Sequence, residues 1–387
     1  MSMATPERQQ AVPVPPLAYQ RYPVDALIRI YRRGARYGAD IFAVAQMVRV
    51  PIEMSPGDVV ALNRQLQATM EKITGDVAGG SAPEAHLRPL AEIGHYVFRK
   101  VFSHRDARLA VDQLMELGGD VSIQVASEDF FLPWELIYPA SLDKPLSYEH
   151  FLGMNTIISR VIIQDAWPGA FISPLIPVDA APKLGLLTDQ QLPAVLRKEI
   201  PHFEKLHDEG RIILCKLRPL DPESKLAEFR EFKQFWHNEL QLAHFACHAA
   251  YEETVPDRSH IVLSDEFPIT LMDLEVYGIA ILGHPLVVLN ACQTGNLNPL
   301  HTAYFAGAFL RYGARGVVAT ECAVPDEFAA DFAAQLYAHL LDGESLGTSL
   351  LAVRRHFLRE RGDPTGLLYS MYAPPAIRLT SIGAWDE

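Results

Sequence analysis

A histidine and a cysteine each close an apolar run of this sequence. Leu240–Cys247 leads into His248, and Pro285-Leu-Val-Val-Leu-Asn290 leads into Cys292, followed by Gln293-Thr294-Gly295. An imidazole beside a thiol is the minimal apparatus for cysteine acyl transfer. The histidine takes the thiol proton, the thiolate attacks a carbonyl, and the imidazolium returns the proton to the leaving amine. Backbone N–H groups in the turn after His248, at Ala249, and at Cys292 would serve the oxyanion. Taken alone, an Ala-Cys at a strand end is ordinary core, because cysteine is among the most buried residue types. The signal is the pair: both residues sit at strand ends in a chain that alternates strand and helix.

That alternation covers residues 180–387. Lys183–Leu187, Arg211–Leu217, Leu240–Cys247, Pro285–Asn290 and Arg315–Ala319 read as apolar strands. Helices are expected from Pro193 to Asp208, Ala227 to Asn238 and 301–312, the last stopping at Gly313. Asp326 opens another, with Phe328, Phe332, Leu336 and Leu340 on one stripe. Apolar strands alternating with amphipathic helices indicate an α/β fold, with a mainly parallel sheet covered on both faces. Sites in such sheets lie beyond the carboxyl ends of the strands, where His248 and Cys292 stand.

The preceding residues, 19–165, read as mixed α+β. Leu27–Tyr31 and Asp40–Ala45 suggest a hairpin around Arg32–Arg36. Ser55-Pro56-Gly57-Asp58 starts a helix that runs to about Ile73. A second helix spans 83–102, and a further pair of strands brackets Phe131–Glu135. Residues 1–18 hold four prolines and are expected to be a disordered leader. The catalytic portion is expected over 166–387.

Composition narrows the function classes. The 387 residues carry 47 acidic and 34 basic side chains, a net charge of −13. Sequence-independent nucleic-acid binding needs a basic surface and is not expected. Four cysteines in so long a chain make no disulfide framework. No stretch reaches the ~20 apolar residues of a spanning helix. A cytoplasmic protein that binds neither membrane nor nucleic acid is expected.

The blocks around the pair resemble those of a known family. His244-Phe-Ala-Cys-His248-Ala249 and Leu289-Asn-Ala-Cys292-Gln-Thr-Gly295 are similar to the histidine and cysteine blocks of CHAT-domain peptidases. These are caspase-like cysteine peptidases related to separases, caspases and metacaspases. Leu132-Pro-Trp-Glu-Leu136 resembles the Pro-Trp-Glu segment of that family. Gly313-Ala-Arg-Gly-Val-Val-Ala-Thr320 with Val324-Pro-Asp-Glu327 resembles its Gly-Ala-Arg strand and acidic helix start. Leu340-Leu-Asp-Gly343 and Tyr369-Ser-Met-Tyr372 follow in order, so the resemblance covers about residues 25–380. Two departures stand out. Ala249 replaces the common glycine after the histidine, and Gln293-Thr-Gly295 replaces Glu-Thr-Ala. Neither removes a reacting atom.

The resemblance implies a caspase-like fold whose N-terminal portion could be a degenerate caspase-like half. It implies His248 as general base and acid, Cys292 as nucleophile, a dyad with no third carboxylate, and no cofactor. His244 shares strand parity with His248 and is expected to support it from within the core. The family's primary pocket draws on the loop after the first strand of the catalytic unit and on those after the nucleophile strand and the next. Asp189 is therefore a candidate pocket acid for a substrate Arg or Lys, with a helix cap as its other reading. Glu321 and Asp326 are further candidates, though Asp326 also reads as a cap.

The resemblance further implies a bacterial setting in stress, antiviral defence or CRISPR-linked proteolysis. Protein substrates are expected, with activation by a partner protein or an upstream protease. The competing readings are an inactive caspase-like interaction module and a zinc site at His244, Cys247, His248 and Cys292. Against zinc, Cys247 would face away from both histidines on a strand, and no Cys-x-x-Cys occurs. Arg21, Arg29, Arg32, Arg33, Arg36 and Arg49 read as a solvated hairpin surface. Cys215 and Cys322 read as packing residues.

Overall fold

A computed structural model describes residues 24–381 apart from 44–45, 79–83, 118–119, 164–172, 253, 265–266 and 293–298. The expected leader and Arg21 lie outside the described residues, as do Gln293, Thr294 and Gly295.

The first half builds one sheet. Strands β1 (Ala26–Arg33), β2 (Arg36–Ala43) and β3 (Gln46–Ile52) form an antiparallel meander. β1 buries Ala26, Ile28 and Ile30 on one face, the alternation that strands require. Its turn is shorter than the arginine run suggested, because Gly34 takes a left-handed φ of 64° and lets Arg33 pair with Arg36. Helices α1 (Pro56–Ala78), α2 (Glu84–Val101) and α3 (Arg105–Glu116) follow. β4 (Ser122–Ser127) joins β1 in parallel. A short α4 (Leu152–Asn155) leads to β5 (Ile157–Ile162), which pairs with β4 in parallel. The sheet order is β3-β2-β1-β4-β5. The Leu132–Leu136 segment packs under α2 at Gly94, where any Cβ would collide with the Leu136 carbonyl oxygen.

After β6 (Leu175–Val178), the second sheet begins with β7 (Lys183–Thr188). A helix from Pro193 passes through a π-turn, Val195–Glu199, into α5 (Ile200–Asp208). β8 (Ile213–Lys216), α6 (Lys225–Phe235) and β9 (Leu242–Ala250) follow. A hairpin of β10 (His260–Leu263) and β11 (Phe267–Thr270) and helix α7 (Leu271–Tyr277) come next. Then come β12 (Leu286–Cys292), α8 (Pro299–Arg311), β13 (Gly316–Thr320), α9 (Asp326–Leu341), α10 (Leu346–Arg361), β14 (Tyr369–Tyr372) and β15 (Arg378–Ser381). β8, β7, β9, β12 and β13 are parallel neighbours, and β14 and the β10–β11 hairpin add antiparallel strands. This is an α/β fold with a mainly parallel sheet between helices.

β9 divides two cores. Leu242 and Ala246 belong to a cluster shared with α5, α9, α10 and the first half of the chain. Ala243, Phe245, Cys247 and Ala249 belong to a second cluster with α6 and α8. Full burial on both faces explains why β9 reads as a nearly continuous apolar run.

A buried polar cluster joins the halves. Arg160 of β5 pairs with Glu135 of the Pro-Trp-Glu segment and with Glu321, which follows β13. Tyr372 donates to Glu321 at 3.2 Å and receives a bond from Arg160 at 3.0 Å. Arg354 of α10 reaches Glu135 at 3.4 Å.

Candidate functional site

β9 and β12 are adjacent and parallel, and their register sets Cys292 directly opposite His248. The two residues singled out from the sequence therefore meet at the carboxyl ends of neighbouring strands. β9 does not turn after His248: it continues to Ala250, with Ala249 buried opposite Ile261 of β10. The expected turn at Ala249 is thus a strand, because the unforeseen β10–β11 hairpin extends the sheet past the histidine.

The imidazole of His248 has a carboxylate partner. Its Nδ1 lies 2.6 Å from Asp189 Oδ2, with the histidine side chain 16% exposed and the aspartate 1%. Asp189 stands one residue beyond β7, and the strand ladder seats it there. Its N–H donates to the Ala246 carbonyl at 2.8 Å, and its Oδ1 accepts from the Gln191 N–H at 3.0 Å. Both carboxylate oxygens are engaged, so Asp189 faces the imidazole rather than an incoming guanidinium. An Nδ1–H held by a carboxylate leaves Nε2 of His248 as the basic nitrogen.

The other two pocket candidates are also committed. Glu321 lies in the buried cluster with Arg160 and Tyr372 and is 2% exposed. Burial pushes its carboxyl up to about 7, against the pull of Arg160. Arginine on the first sheet draws it inward, something no local sequence feature announces. Asp326 is half-buried at the start of α9. Its Oδ1 accepts from the Glu327 N–H at 2.9 Å and its Oδ2 from the Ala194 N–H at 3.3 Å. The N-cap of α9 is Pro325, so Asp326 sits in that helix's first turn and supplies a cap-like acceptor to the first turn of the helix that begins at Pro193.

His244 is fully buried. Its Nε2 lies 2.6 Å from Glu199 Oε2, and its ring packs on Phe203 and Tyr337. Glu199 was not foreseen. Its signal was nonetheless present: Leu192, Val195, Phe203 and Leu206 form the buried stripe of that helix, and Glu199 occupies the stripe's middle. Asn290 is a similar case, a polar residue inside an apolar strand, with its Nδ2 donating to Glu199 Oε1 at 3.1 Å.

Cys247 lies in the core on the far side of β9, and burial raises its thiol well above the ordinary range. Among the described residues no group of three or more His, Cys, Asp and Glu side chains could hold a metal ion. Cys322 is buried, with its thiol raised by the same cause, and Cys215 is partly buried. On the hairpin, Arg49 pairs with Asp40 and Arg32 with Asp129, both arginines being largely exposed. Among the described residues no helix is long and apolar enough to cross a membrane.

Comparison with known proteins agrees with this architecture. Over 98 residues the chain is 35% identical to a probable protease of Vitiosangium sp., a stretch covering 25% of this chain and 13% of that protein. The chain thus spans a small part of that relative's length. Among solved structures, the separase of the Saccharomyces cerevisiae separase–securin complex matches with a TM-score of 0.50 at 10% identity. That match covers 93% of this chain and 30% of the separase chain. The Drosophila initiator caspase Dronc matches with a TM-score of 0.34 at 8% identity, over 56% of this chain and 90% of Dronc. The model of the CHAT domain matches residues 170–376, more than half of the sequence. With an α/β sheet similar in fold to separase and that match, the chain belongs to the CHAT-domain family.

Proposed function

We propose that this chain is a cysteine endopeptidase acting on protein substrates through Cys292 and His248, with Asp189 orienting the imidazole. The observation that carries the reading is the imidazole of His248, hydrogen-bonded to a buried carboxylate at a strand end directly opposite Cys292. His248 Nε2 takes the proton from the Cys292 thiol, and the thiolate adds to the scissile carbonyl. The imidazolium then protonates the leaving amine as the C–N bond breaks, leaving an acyl-enzyme. Water, deprotonated by the same nitrogen, releases the carboxylic product and the thiol. Atoms and protons balance without a metal or organic cofactor. Asp189 holds the Nδ1–H tautomer and favours the imidazolium as it forms, so the site is a triad where a dyad was expected. The backbone N–H groups of Cys292 and Ala249 are the proposed oxyanion donors.

Residues 166–387 carry the chemistry in this reading, and residues 19–165 support it as a degenerate caspase-like half. Cleavage after Arg or Lys would have to be met by a carboxylate other than Asp189, Glu321 and Asp326, whose oxygens face inward. Family resemblance supports a cytoplasmic role in bacterial defence or stress signalling, with activation by a partner protein or by proteolysis. The test is a peptide library read by mass spectrometry with wild type and Cys292→Ala. Cleavage by the wild type alone is expected. Cleavage by both, or by neither after proteolytic activation, would count against the reading.

A further inference from the structure

A second carboxylate–imidazole pair stands behind the first. His244 and His248 are four residues apart on one face of β9, and their partners, Glu199 and Asp189, come from the single segment that follows β7. Glu199 Oε1 also accepts from Asn290 of β12, two residues before Cys292. Asn290 Oδ1 in turn accepts from the Tyr369 hydroxyl of β14 at 2.7 Å. His244, Glu199, Asn290 and Tyr369 are all essentially inaccessible to water. One carboxylate therefore ties the strand bearing His248, the strand bearing Cys292 and the segment bearing Asp189.

Apolar side chains of similar volume would fill this space without burying a charge, so stability alone does not call for Glu199. The neighbouring cations do not attend to it: Arg197 and Lys198 turn outward to Glu327. Glu199 also ends the π-turn of that helix, and π-bulges in helices recur at functional sites.

We propose that the Glu199–His244 pair is a positioning device for the peptidase reaction, seating the 189–199 segment so that Asp189 stays on His248. It rests on the Cys292–His248 reading above. Asp189 is fixed from one side by the Ala246 carbonyl, and the helix behind it is pinned at Ala194 by Asp326 and at Glu199 by His244. Releasing the Glu199 pin lets the π-turn relax and the helix slide along β9. A displacement of about 1 Å is enough to break a contact of this kind and to cost on the order of a hundredfold in rate.

The probe is iodoacetamide, with alkylation of Cys292 followed by mass spectrometry of the intact chain and of its peptides. At pH 6 a free thiol is nearly all protonated, so fast alkylation there reports histidine-assisted thiolate. Wild type is expected to react at least tenfold faster at pH 6 than His248→Ala. Glu199→Gln, which cannot accept from both His244 and Asn290, is expected to fall about tenfold toward His248→Ala at pH 6. At pH 9, where the thiol ionises unaided, it should match wild type. Tyr337→Phe disturbs the same core, since the Tyr337 ring meets His244 edge-on, but it removes no hydrogen bond of either pair and should react as wild type at both pH values. Should Glu199→Gln not fold, His244→Gln carries the same readout and the same expectation. A variant as fast as wild type at pH 6, or equally slowed at pH 6 and pH 9, would overturn the positioning role. A wild type no faster than His248→Ala would overturn the Cys–His reading, and this inference with it.

Discussion

Glu321→Gln is expected to flatten the pH dependence of folding stability and to stabilise the protein at alkaline pH. Only one oxygen of Glu321 is served by Arg160 and Tyr372, and among the described residues its Oε2 is buried without a hydrogen-bond partner. Burial outweighs the nearby arginine and lifts the carboxyl from 4.5 to about 7. The folded protein thus binds this proton more tightly than the unfolded chain. The stability it contributes is fully present below about pH 4.5, the unfolded value, and is lost as pH rises through about 7. A shift of that size, at about 1.4 kcal/mol per unit, amounts to about 3 kcal/mol between pH 4.5 and pH 8. Glutamine keeps an acceptor for Arg160 and Tyr372, places an amide where the orphaned oxygen stands, and does not titrate. Urea unfolding at several pH values between 4.5 and 8, for both proteins, isolates the difference from all other titrating groups. Wild type should lose about 3 kcal/mol relative to Glu321→Gln across that range. Parallel pH profiles would refute the reasoning, and a wild type that gained stability with pH relative to the variant would reverse its sign.

Asp189→Asn should leave the fold intact and lower turnover by about 10²–10⁴-fold, because the amide favours the wrong imidazole tautomer; steady-state cleavage with circular dichroism checks both halves. Arg160→Met takes the arginine away from both Glu321 and Glu135, leaving Glu135 only Arg354 and Ser370, and should cost about 3–5 kcal/mol in urea unfolding. Adding Glu135→Gln and Glu321→Gln should recover most of that loss, and an additive further loss would contradict the pairing. Gly94→Ala drives a methyl into the Leu136 carbonyl and should destabilise by about 1–3 kcal/mol, read from the urea midpoint.

Period and punctuation made much of the catalytic sheet legible. β7, β8, β9, β12 and β13 are apolar runs between helices, and β9 carries His248 near its carboxyl end while β12 ends in Cys292. What local pattern could not carry was the partner of each polar residue. Asp189 and His248 are 59 positions apart, and only the β7–β9 pairing brings the carboxylate to the imidazole. Asp189 therefore read as a pocket acid or a cap, and it does make one cap-like bond, to the Gln191 N–H. Glu321 looked open to substrate because Arg160 lies 161 residues away, on another sheet. The β10–β11 hairpin escaped notice because its strands have four residues each, too short for a period to declare itself.

The central claim is that Cys292 is a nucleophile served by His248. The most direct measurement is covalent labelling with a peptidyl acyloxymethyl ketone at pH 7, with the modified residue located by peptide mapping. The account predicts a single adduct at Cys292, lost in Cys292→Ala and strongly slowed in His248→Ala. Labelling that spares Cys292, or an adduct at Cys292 that forms as fast without His248, would contradict it.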